Sequence, residues 1–391
     1  MAEKDVKPAL FPEGGKGLVI TAINPNSPQG GSSNIIRNFL QAFDADSFVI
    51  ASAKSRSKER RPLLPVKTIL SDFYQYRRPL RKILGELMKR RDISKVQYLI
   101  NQEGIKNILI VYPHLYNVEV FLGLKLLPGT RVVGYFHDTF IEGQYGKFAA
   151  AKLMQLHELL RTKIDKLFVM NEGMRALYKA KYDWSCAALE HSFPEHGQLA
   201  EQKVKNIENK FFWGGNIVDY NAKSLSRIIK VALELNYKFE IASRQNSRSI
   251  LNFLDNNSFE KTFYGNREDY LLALQTSSFL ILALCWPDET GYHEDEISTI
   301  FSTKAIEYMT SGVPIILHAP KHYFMSQFIL DNGIGYVLDT RDASELLEKC
   351  MQIIESDHTE MIGRAKKTSA MFDIKTIQTK WLKSMNSFYA D

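Results

Sequence analysis

Short apolar runs alternate with segments of helical spacing along most of the chain. Residues 17–23 form the first apolar run, and residues 34–43, after a glycine-containing turn, carry apolar side chains spaced as on one helix face. A strand, a glycine turn and a helix are typical of the first unit of a doubly wound sheet. The pattern predicts further strands at residues 47–53, 107–112, 131–137 and 166–170. This alternation predicts a parallel sheet that helices cover on both faces.

Residues 193–209 interrupt the alternation with a proline, a glycine and several charges, which is typical of a linker. The pattern then restarts with a predicted helix at residues 223–236 and a second series of strands. These strands are predicted at residues 210–213, 239–243, 261–264, 278–284, 314–318 and 335–338. Residues 374–389 again have helical spacing. We therefore predict a first domain at residues 1–195, a second at 205–372 and a terminal helical segment at 373–391.

Length and composition agree with a two-domain globular protein. The chain has 391 residues, more than one hydrophobic core usually serves, and 45% of them are hydrophobic. No apolar run approaches the roughly 18 residues of a membrane-spanning helix, and the N-terminus lacks the apolar core of a signal peptide. The three cysteines are far apart and have no metal-ligand spacing. We therefore expect a cytoplasmic location and no bound metal.

Basic residues concentrate in one segment. Residues 54–95 contain 14 Lys and Arg against 4 Asp and Glu, whereas the whole chain has a net charge of only +6. Within it, residues 77–91 predict a basic amphipathic helix, which suits the anionic surface of a membrane and would place the protein peripherally at its inner face. A helix that packs on the first domain with a solvated basic face is the alternative. Nucleic acid is not an expected partner, because no aromatic stacking surface accompanies the charge.

Residues 301–317 carry the strongest chemical signal. Ser302 and Thr303 are suited to cap a helix, Lys304 and Glu307 lie one turn apart, and Gly312 ends the segment before an apolar strand. A helix N-terminus and a lysine suit a phosphate, and a nearby carboxylate accepts hydrogen bonds from a diol. This combination indicates a nucleotide-sugar site. An ordinary helix–glycine–strand unit with solvated polar residues is the alternative.

This stretch resembles the "S-P-x-K-x-x-E-Y-M-A-x-G-x-P-V-I" signature of retaining glycosyltransferases of the GT-B fold, family 4 (group 1), with Thr303 where the family often has proline. The resemblance implies an α/β fold of two Rossmann-like domains with a cleft between them and a C-terminal helix that returns to the first domain. It implies transfer of a sugar, with retention, from a nucleoside diphosphate sugar, UDP- or GDP-linked. The acceptor would be a glycan, a lipid-linked or a small molecule in polysaccharide or glycoconjugate synthesis. No cofactor besides the nucleotide sugar is implied.

Further positions match the family pattern. Gly30 and Gly31 resemble its N-terminal glycine turn, where the backbone approaches the donor diphosphate or the acceptor. His137 stands where the family often has a histidine near the donor sugar. Lys223 matches the lysine that clamps the diphosphate. Gly265 opens the segment whose backbone reads the nucleotide base.

Three departures from the pattern accompany these matches. Asn216 stands where the family has an arginine, and we expect Arg244 to serve as its substitute. Thr299 stands eight positions before Glu307, where many members have a second glutamate. We expect the missing carboxylate to come from one of three acidic residues, Glu289, Glu294 or Glu296.

Two other functions stay open because of these departures. A non-catalytic GT-B subunit that supports a partner transferase would tolerate the altered positions. A sugar-nucleotide epimerase of the same fold would need a richer set of acidic residues in the first domain.

Overall fold

The computed structural model describes residues 7–27, 31–53, 64–71, 81–112, 115–139, 147–193, 208–243, 253 and 259–390. The chain divides into two units, one comprising Met1–Pro194 with Phe372–Asp391 and the other Glu195–Met371. The change of unit falls within the segment that the sequence analysis interprets as a linker. Residues 194–207 of that segment lie outside the described part of the chain.

The first unit contains one parallel sheet with helices between its strands. Its strands are β1 (Gly17–Thr21), β2 (Phe48–Ala53), β3 (Val66–Leu70), β4 (Asn107–Tyr112), β5 (Arg131–Phe136), β6 (Lys166–Val169) and β7 (Ala187–Ala188). Its helices before the second unit are α1 (Gly31–Gln41), α2 (Arg81–Glu103), α3 (Leu115–Leu122), α4 (Lys147–Arg161) and α5 (Glu172–Tyr182). The described strands pair in the order β3-β2-β1-β4-β5-β6-β7. The chain therefore reverses its direction across the sheet between β1 and β4.

The second unit repeats this plan. Its strands are β8 (Glu208–Gly214), β9 (Lys238–Ala242), β10 (Glu260–Thr262), β11 (Ser277–Ala283), β12 (Ile315–His318) and β13 (Tyr336–Leu338). Its helices are α6 (Asp219–Glu234), α7 (Arg267–Gln275), α8 (Glu294–Thr299), α9 (Thr303–Ser311), α10 (Phe324–Asn332), α11 (Ala343–Ile354) and α12 (Thr359–Ser369). The described strands pair in parallel in the order β10-β9-β8-β11-β12-β13. The reversal lies between β8 and β11, the kind of position where ligands bind in doubly wound sheets.

Strand β1 shows why the apolar runs are continuous rather than alternating. Leu18 and Ile20 belong to the hydrophobic core on one face of the sheet, and Val19 belongs to the core on the other. Because helices cover both faces, every side chain of the strand is buried. The continuous apolar run is therefore explained by burial on two sides.

The last helix, α13 (Ile374–Ala390), belongs to the first unit. Its buried residues Ile377, Trp381 and Met385 join the core that contains helix α1. The Trp381 indole nitrogen donates a hydrogen bond of 2.7 Å to the Leu10 carbonyl oxygen. This packing attaches the C-terminal segment to the sheet formed by the beginning of the chain.

The predicted strands are found with boundaries shifted by a few residues, but two further strands were not predicted. Strand β3 lies within the basic segment 54–95, where the surrounding charges conceal a five-residue apolar pattern. Strand β7 has only two residues, too few for any periodicity. Helix α6 begins at Asp219 rather than Lys223, so Lys223 lies one turn inside it.

The basic segment has a helix, and the side chains of the predicted apolar residues Ile83 and Leu84 lie outside what the structure describes. Residues 77–80 lie outside the described part of the chain, and α2 begins at Arg81. Leu87, predicted on the apolar face, is 57% exposed, whereas Val96 and Ile100 further along the helix are fully buried. The helix thus packs through its C-terminal half. None of the helices in the described ranges is both long and apolar enough to cross a membrane.

Candidate functional site

Two glycines follow one another at the end of strand β8, Gly214 as its last residue and Gly215 directly after it. A side chain on Gly214 would place its Cβ 2.3 Å from the hydroxyl oxygen of Tyr270, and the Gly214 amide donates a hydrogen bond of 2.9 Å to the hydroxyl oxygen of Tyr308. The next residue, Gly215, has φ +130, a conformation that other residues rarely adopt. Helices α7 and α9 can therefore approach the end of β8 closely.

Lys304 lies against this turn. Its Nζ is 3.6 Å from the centroid of the Trp213 ring, and a Cβ on Gly215 would lie 3.0 Å from the same nitrogen. Within the described residues, no carboxylate forms an ion pair with Nζ and no acceptor forms a hydrogen bond with it. Burial lowers the pKa of Lys304 to about 7, and the nearby Glu307 opposes this shift. An anion that bound here would restore the ammonium charge.

The N-terminus of helix α9 adds donors beside Lys304. Ser302 occupies the N-cap position, but its hydroxyl does not cap the helix. The amide of Ala305 bonds to the Ser302 carbonyl oxygen, whereas the amides of Thr303 and Lys304 have no hydrogen-bond acceptor among the described residues. Free amides at the positive end of the helix dipole attract an anion. Ser302, Thr303 and Lys304 thus lie at a helix N-terminus, as predicted, and their assignment to a phosphate stays a prediction.

Glu307, one turn further, is already engaged. Its Oε1 lies 2.6 Å from a guanidinium nitrogen of Arg267, and its Oε2 accepts a hydrogen bond of 3.3 Å from the Tyr270 hydroxyl. The Arg267 side chain is 58% exposed, while that of Glu307 is 14% exposed. A carboxylate has about four acceptor positions, so two remain for another donor. The sequence analysis did not identify Arg267 or Tyr270, although their spacing puts both on one face of α7.

A cavity of about 330 Å³ opens beside this pair. Glu307, Arg267 and Tyr270 line it, as does the predicted residue Gly265. Phe263, which is 55% exposed, adds an aromatic surface. The cavity therefore combines aromatic groups, bare backbone and a carboxylate, a combination typical of small-molecule sites.

Asn216 is hydrogen-bonded to a residue of the cavity wall. It is exposed, and its side-chain oxygen accepts a hydrogen bond of 3.4 Å from the hydroxyl of Ser243, a residue of the cavity wall. Its predicted substitute cation, Arg244, lies outside the described residues. The structure therefore places an amide at this position, and among the described residues Lys304 is the cation nearest to Gly215.

Lys223 lies on the exposed side of helix α6. Its charge helps to lower the pKa of Asp288, a carboxylate that a hydrogen bond from Arg341 stabilises more strongly. Within the described part of the chain its ammonium group forms no ion pair and no hydrogen bond. Its assignment to the diphosphate stays a prediction.

Residues of the acidic segment before helix α9 form contacts within the second unit. Glu289 is 8% exposed and forms an ion pair with Arg227. Thr299, which replaces a family glutamate, donates its hydroxyl to the carbonyl oxygens of Asp295 and Glu296 at 3.0 and 3.1 Å. No three His, Cys, Asp or Glu side chains in the described ranges form a group that could hold a metal ion.

In the first unit, His137 follows strand β5 and is 3% exposed. Its ring centroid lies 6.3 Å from that of His191, a residue that the sequence analysis missed. Burial lowers the pKa of His191 to about 4, and burial raises the pKa of Asp138 to about 6. Two imidazoles therefore meet at this end of the sheet.

The predicted glycine turn of the first unit is only partly described. Gly30 lies outside the described residues, and Gly31 is the first residue of helix α1.

No family model and no curated protein matches this sequence. Solved structures do match. A glycosyltransferase from Rickettsia africae has a TM-score of 0.65 at 12% identity, over 96% of this chain and 99% of that chain. Anabaena HepE in complex with UDP-glucose has a TM-score of 0.67 at 12% identity, over 95% and 99%.

A third match is the N-terminal domain of a Candida albicans trehalose-6-phosphate phosphatase, with a TM-score of 0.65 at 10% identity, over 96% of this chain and 97% of that chain. At these identities the likeness shows the fold. Together with two parallel sheets of the same strand order, it confirms the predicted α/β fold of the GT-B type.

Proposed function

We propose that this chain transfers a sugar from a nucleoside diphosphate sugar, UDP- or GDP-linked, to a glycan, lipid-linked or small-molecule acceptor, with retention of configuration. One observation carries the proposal. An ammonium group and the free amides of a helix N-terminus lie one turn from a carboxylate that borders a nucleoside-sized cavity. The solved structure of Anabaena HepE in complex with UDP-glucose, which has the same fold, supports it.

In this proposal the donor diphosphate binds to Lys304 and to the amides of Thr303 and Lys304. Glu307 accepts hydrogen bonds from the ribose hydroxyls, while Arg267 holds the Glu307 carboxylate in place. The bond between the anomeric carbon and the phosphate oxygen breaks, and the developing negative charge is stabilised by Lys304. The acceptor oxygen bonds to the anomeric carbon from the same side, and its proton passes to the departing phosphate. We assign Lys223 to the diphosphate and His137 to the sugar.

A non-catalytic subunit of the same fold is the second candidate. It is favoured by the ion pair between Glu307 and Arg267, which occupies part of the carboxylate, and by the absence of charge at Thr299. Such a subunit would have the fold and no donor turnover. The epimerase alternative would release a free epimerised sugar and nucleotide without an acceptor.

Calorimetry with UDP, GDP and ADP, followed by a screen of nucleotide sugars for release of the diphosphate, tests the proposal. We expect one nucleotide to bind and its sugar derivative to be slowly hydrolysed when no acceptor is present. If none of the three nucleotides binds, the result favours the non-catalytic subunit. Release of an epimerised sugar would establish the epimerase.

The carboxylate of Glu307 provides a sharper test. We expect Glu307→Gln to weaken nucleotide binding about tenfold, because hydrogen bonds to a charged group contribute about 1.5–3 kcal/mol. Calorimetric titration with the selected nucleotide measures this. Glu348→Gln, at an exposed position of helix α11, is the control and should leave affinity unchanged. Equal affinities of the two variants would remove Glu307 from the site.

Lys304 predicts a pH dependence of donor binding. Because its pKa is about 7 in the free protein, most of the side chain is neutral at pH 8. A bound diphosphate favours the protonated form, so binding at pH 8 should take up a proton and affinity should fall as pH rises above 7. The nucleotide sugar is the suitable ligand, since its diphosphate does not titrate in this range.

Calorimetry of that ligand in HEPES and in Tris, which differ in ionisation enthalpy, measures the proton uptake. Lys304→Met should abolish it. Unchanged proton uptake in this variant would mean that another group titrates.

A further inference from the structure

A second cavity, of about 220 Å³, lies in the first unit at the amino ends of strands β1, β4 and β5. Strand pairing places Gly17 beside Asn107 and Asn107 beside Arg131, so the three strands begin side by side. His137 follows the carboxyl end of β5, at the opposite edge of the same sheet. The cavity is therefore separate from the residues to which we assign the sugar.

The wall of this cavity carries an excess of positive charge. Lys16, Lys106 and Arg131 line it, and Glu13 is the acidic residue among its lining. Lys16 forms an ion pair of 3.0 Å with Glu103. Within the described part of the chain, Lys106 and Arg131 have no carboxylate partner. Lys106 and Arg131 thus give the cavity wall more positive charge than Glu13 offsets.

Bare backbone forms much of the remaining wall. Gly14, Gly15, Gly104 and Gly129 all line the cavity with positive φ values, +78, +76, +60 and +75. No atom lies within 4 Å of the position that a Cβ would take at any of the four. Side chains are therefore absent where a ligand would approach, and backbone amides can contribute to the binding of an anion.

Hydrogen bonds hold one side of the cavity in place. The Asn107 side-chain oxygen accepts a hydrogen bond of 2.6 Å from the Tyr389 hydroxyl of helix α13, and its amide nitrogen donates one of 3.3 Å to the Gly14 carbonyl oxygen. The Arg131 guanidinium lies 5.2 Å from the ring of Phe388. The C-terminal helix thus orders the groups around the cavity before any ligand binds.

We propose that this cavity binds a phosphate group, either as free inorganic phosphate or as the phosphomonoester of a small molecule. Lysine and arginine pair strongly with phosphate oxygens, and the arginine can do so through two parallel hydrogen bonds. Attraction to the negative C-terminal end of helix α2 would account for the positive charge of Lys16 and Lys106. It would not account for Arg131 on strand β5 or for the glycines that line the cavity.

Equilibrium dialysis of the full chain with labelled inorganic phosphate, and separately with glycerol 3-phosphate, tests the proposal at constant ionic strength. We expect saturable binding of one phosphate group per chain at this cavity and at least a tenfold loss of affinity in Lys106→Glu. A combined Lys106→Gln and Arg131→Gln variant should lose the binding at this cavity completely. Tighter binding of glycerol 3-phosphate than of phosphate identifies the phosphomonoester as the ligand class, and equal binding identifies phosphate itself.

Two variants separate this site from the donor site. Lys125→Glu, at an exposed position of the same unit, should change phosphate affinity less than twofold, whereas Lys304→Gln should remove only phosphate bound at the donor site. The exposed Lys106→Glu variant should fold even if the loss of Arg131 does not permit folding. Unchanged affinity in Lys106→Glu, absence of saturable binding, or loss of all saturable binding in Lys304→Gln would each overturn the proposal. None of these results depends on whether the chain transfers sugars.

Discussion

Replacing Lys304 by Gln is expected to reduce sugar transfer by about 10²- to 10³-fold, the usual effect of removing one group that stabilises charge in a transition state. The reason is that Lys304 Nζ has no acidic partner of its own among the described residues and lies at an open helix N-terminus. The measurement is the initial rate of nucleoside diphosphate release with the selected nucleotide sugar. The rate constant kcat should fall more than KM rises, because the charge develops as the diphosphate leaves.

Lys230→Gln is the matched control, since this lysine is exposed on helix α6. Its rate should equal that of the native protein. The Lys304 variant should also be at least as stable as the native chain, because burial disfavours the ammonium form that the substitution removes. A folded Lys304→Gln protein with the native rate would show that the diphosphate binds elsewhere.

Trp381→Ala is expected to destabilise the first unit by about 3–5 kcal/mol, the usual cost of truncating a fully buried tryptophan. Its ring packs between Phe39 and Phe168, at centroid distances of 5.1 and 4.9 Å, and its indole nitrogen bonds to the Leu10 carbonyl oxygen. The substitution would therefore leave a cavity and an unsatisfied backbone oxygen in the core. Urea denaturation followed by circular dichroism measures the loss without relying on tryptophan fluorescence.

Lys383→Ala, on the exposed side of the same helix, is the control and should change stability by less than about 0.5 kcal/mol. Since the chain has two units, the transition of the first unit should move alone, and the second should unfold as in the native protein. A loss below about 1 kcal/mol for Trp381→Ala would show that the C-terminal helix contributes little to the first unit.

Much of the fold was predictable because its determinants are local. A strand buried on both faces needs a continuous apolar run, and β1 and β4 show this plainly. The same holds for helix α9, where Gly312 ends the helix with φ +79 and Lys304 and Glu307 share a face. Strand β3 was missed because five residues among many charges carry too little periodicity.

The candidate site was predictable only in part. The positions of Ser302 and Lys304 follow from their place at a helix N-terminus, which the sequence indicates. The partner of Glu307 does not, because Arg267 lies 40 residues away along the chain. The packing of the two helices decides whether Arg267 orients the Glu307 carboxylate or competes with a ligand for it. The residue pattern within one segment does not contain that information.

By itself the sequence determined the alternation of strands and helices, the two parallel sheets and the polar residues at the start of α9, since each depends on neighbours within a few residues. The tertiary structure alone decided which groups meet around those residues. It placed Trp213 against Lys304, Tyr270 against Gly214 and His191 against His137. It also brought three strand beginnings together into a cationic cavity. The physical reason is that such contacts depend on how distant segments pack, whereas periodicity records only which face of a segment is buried.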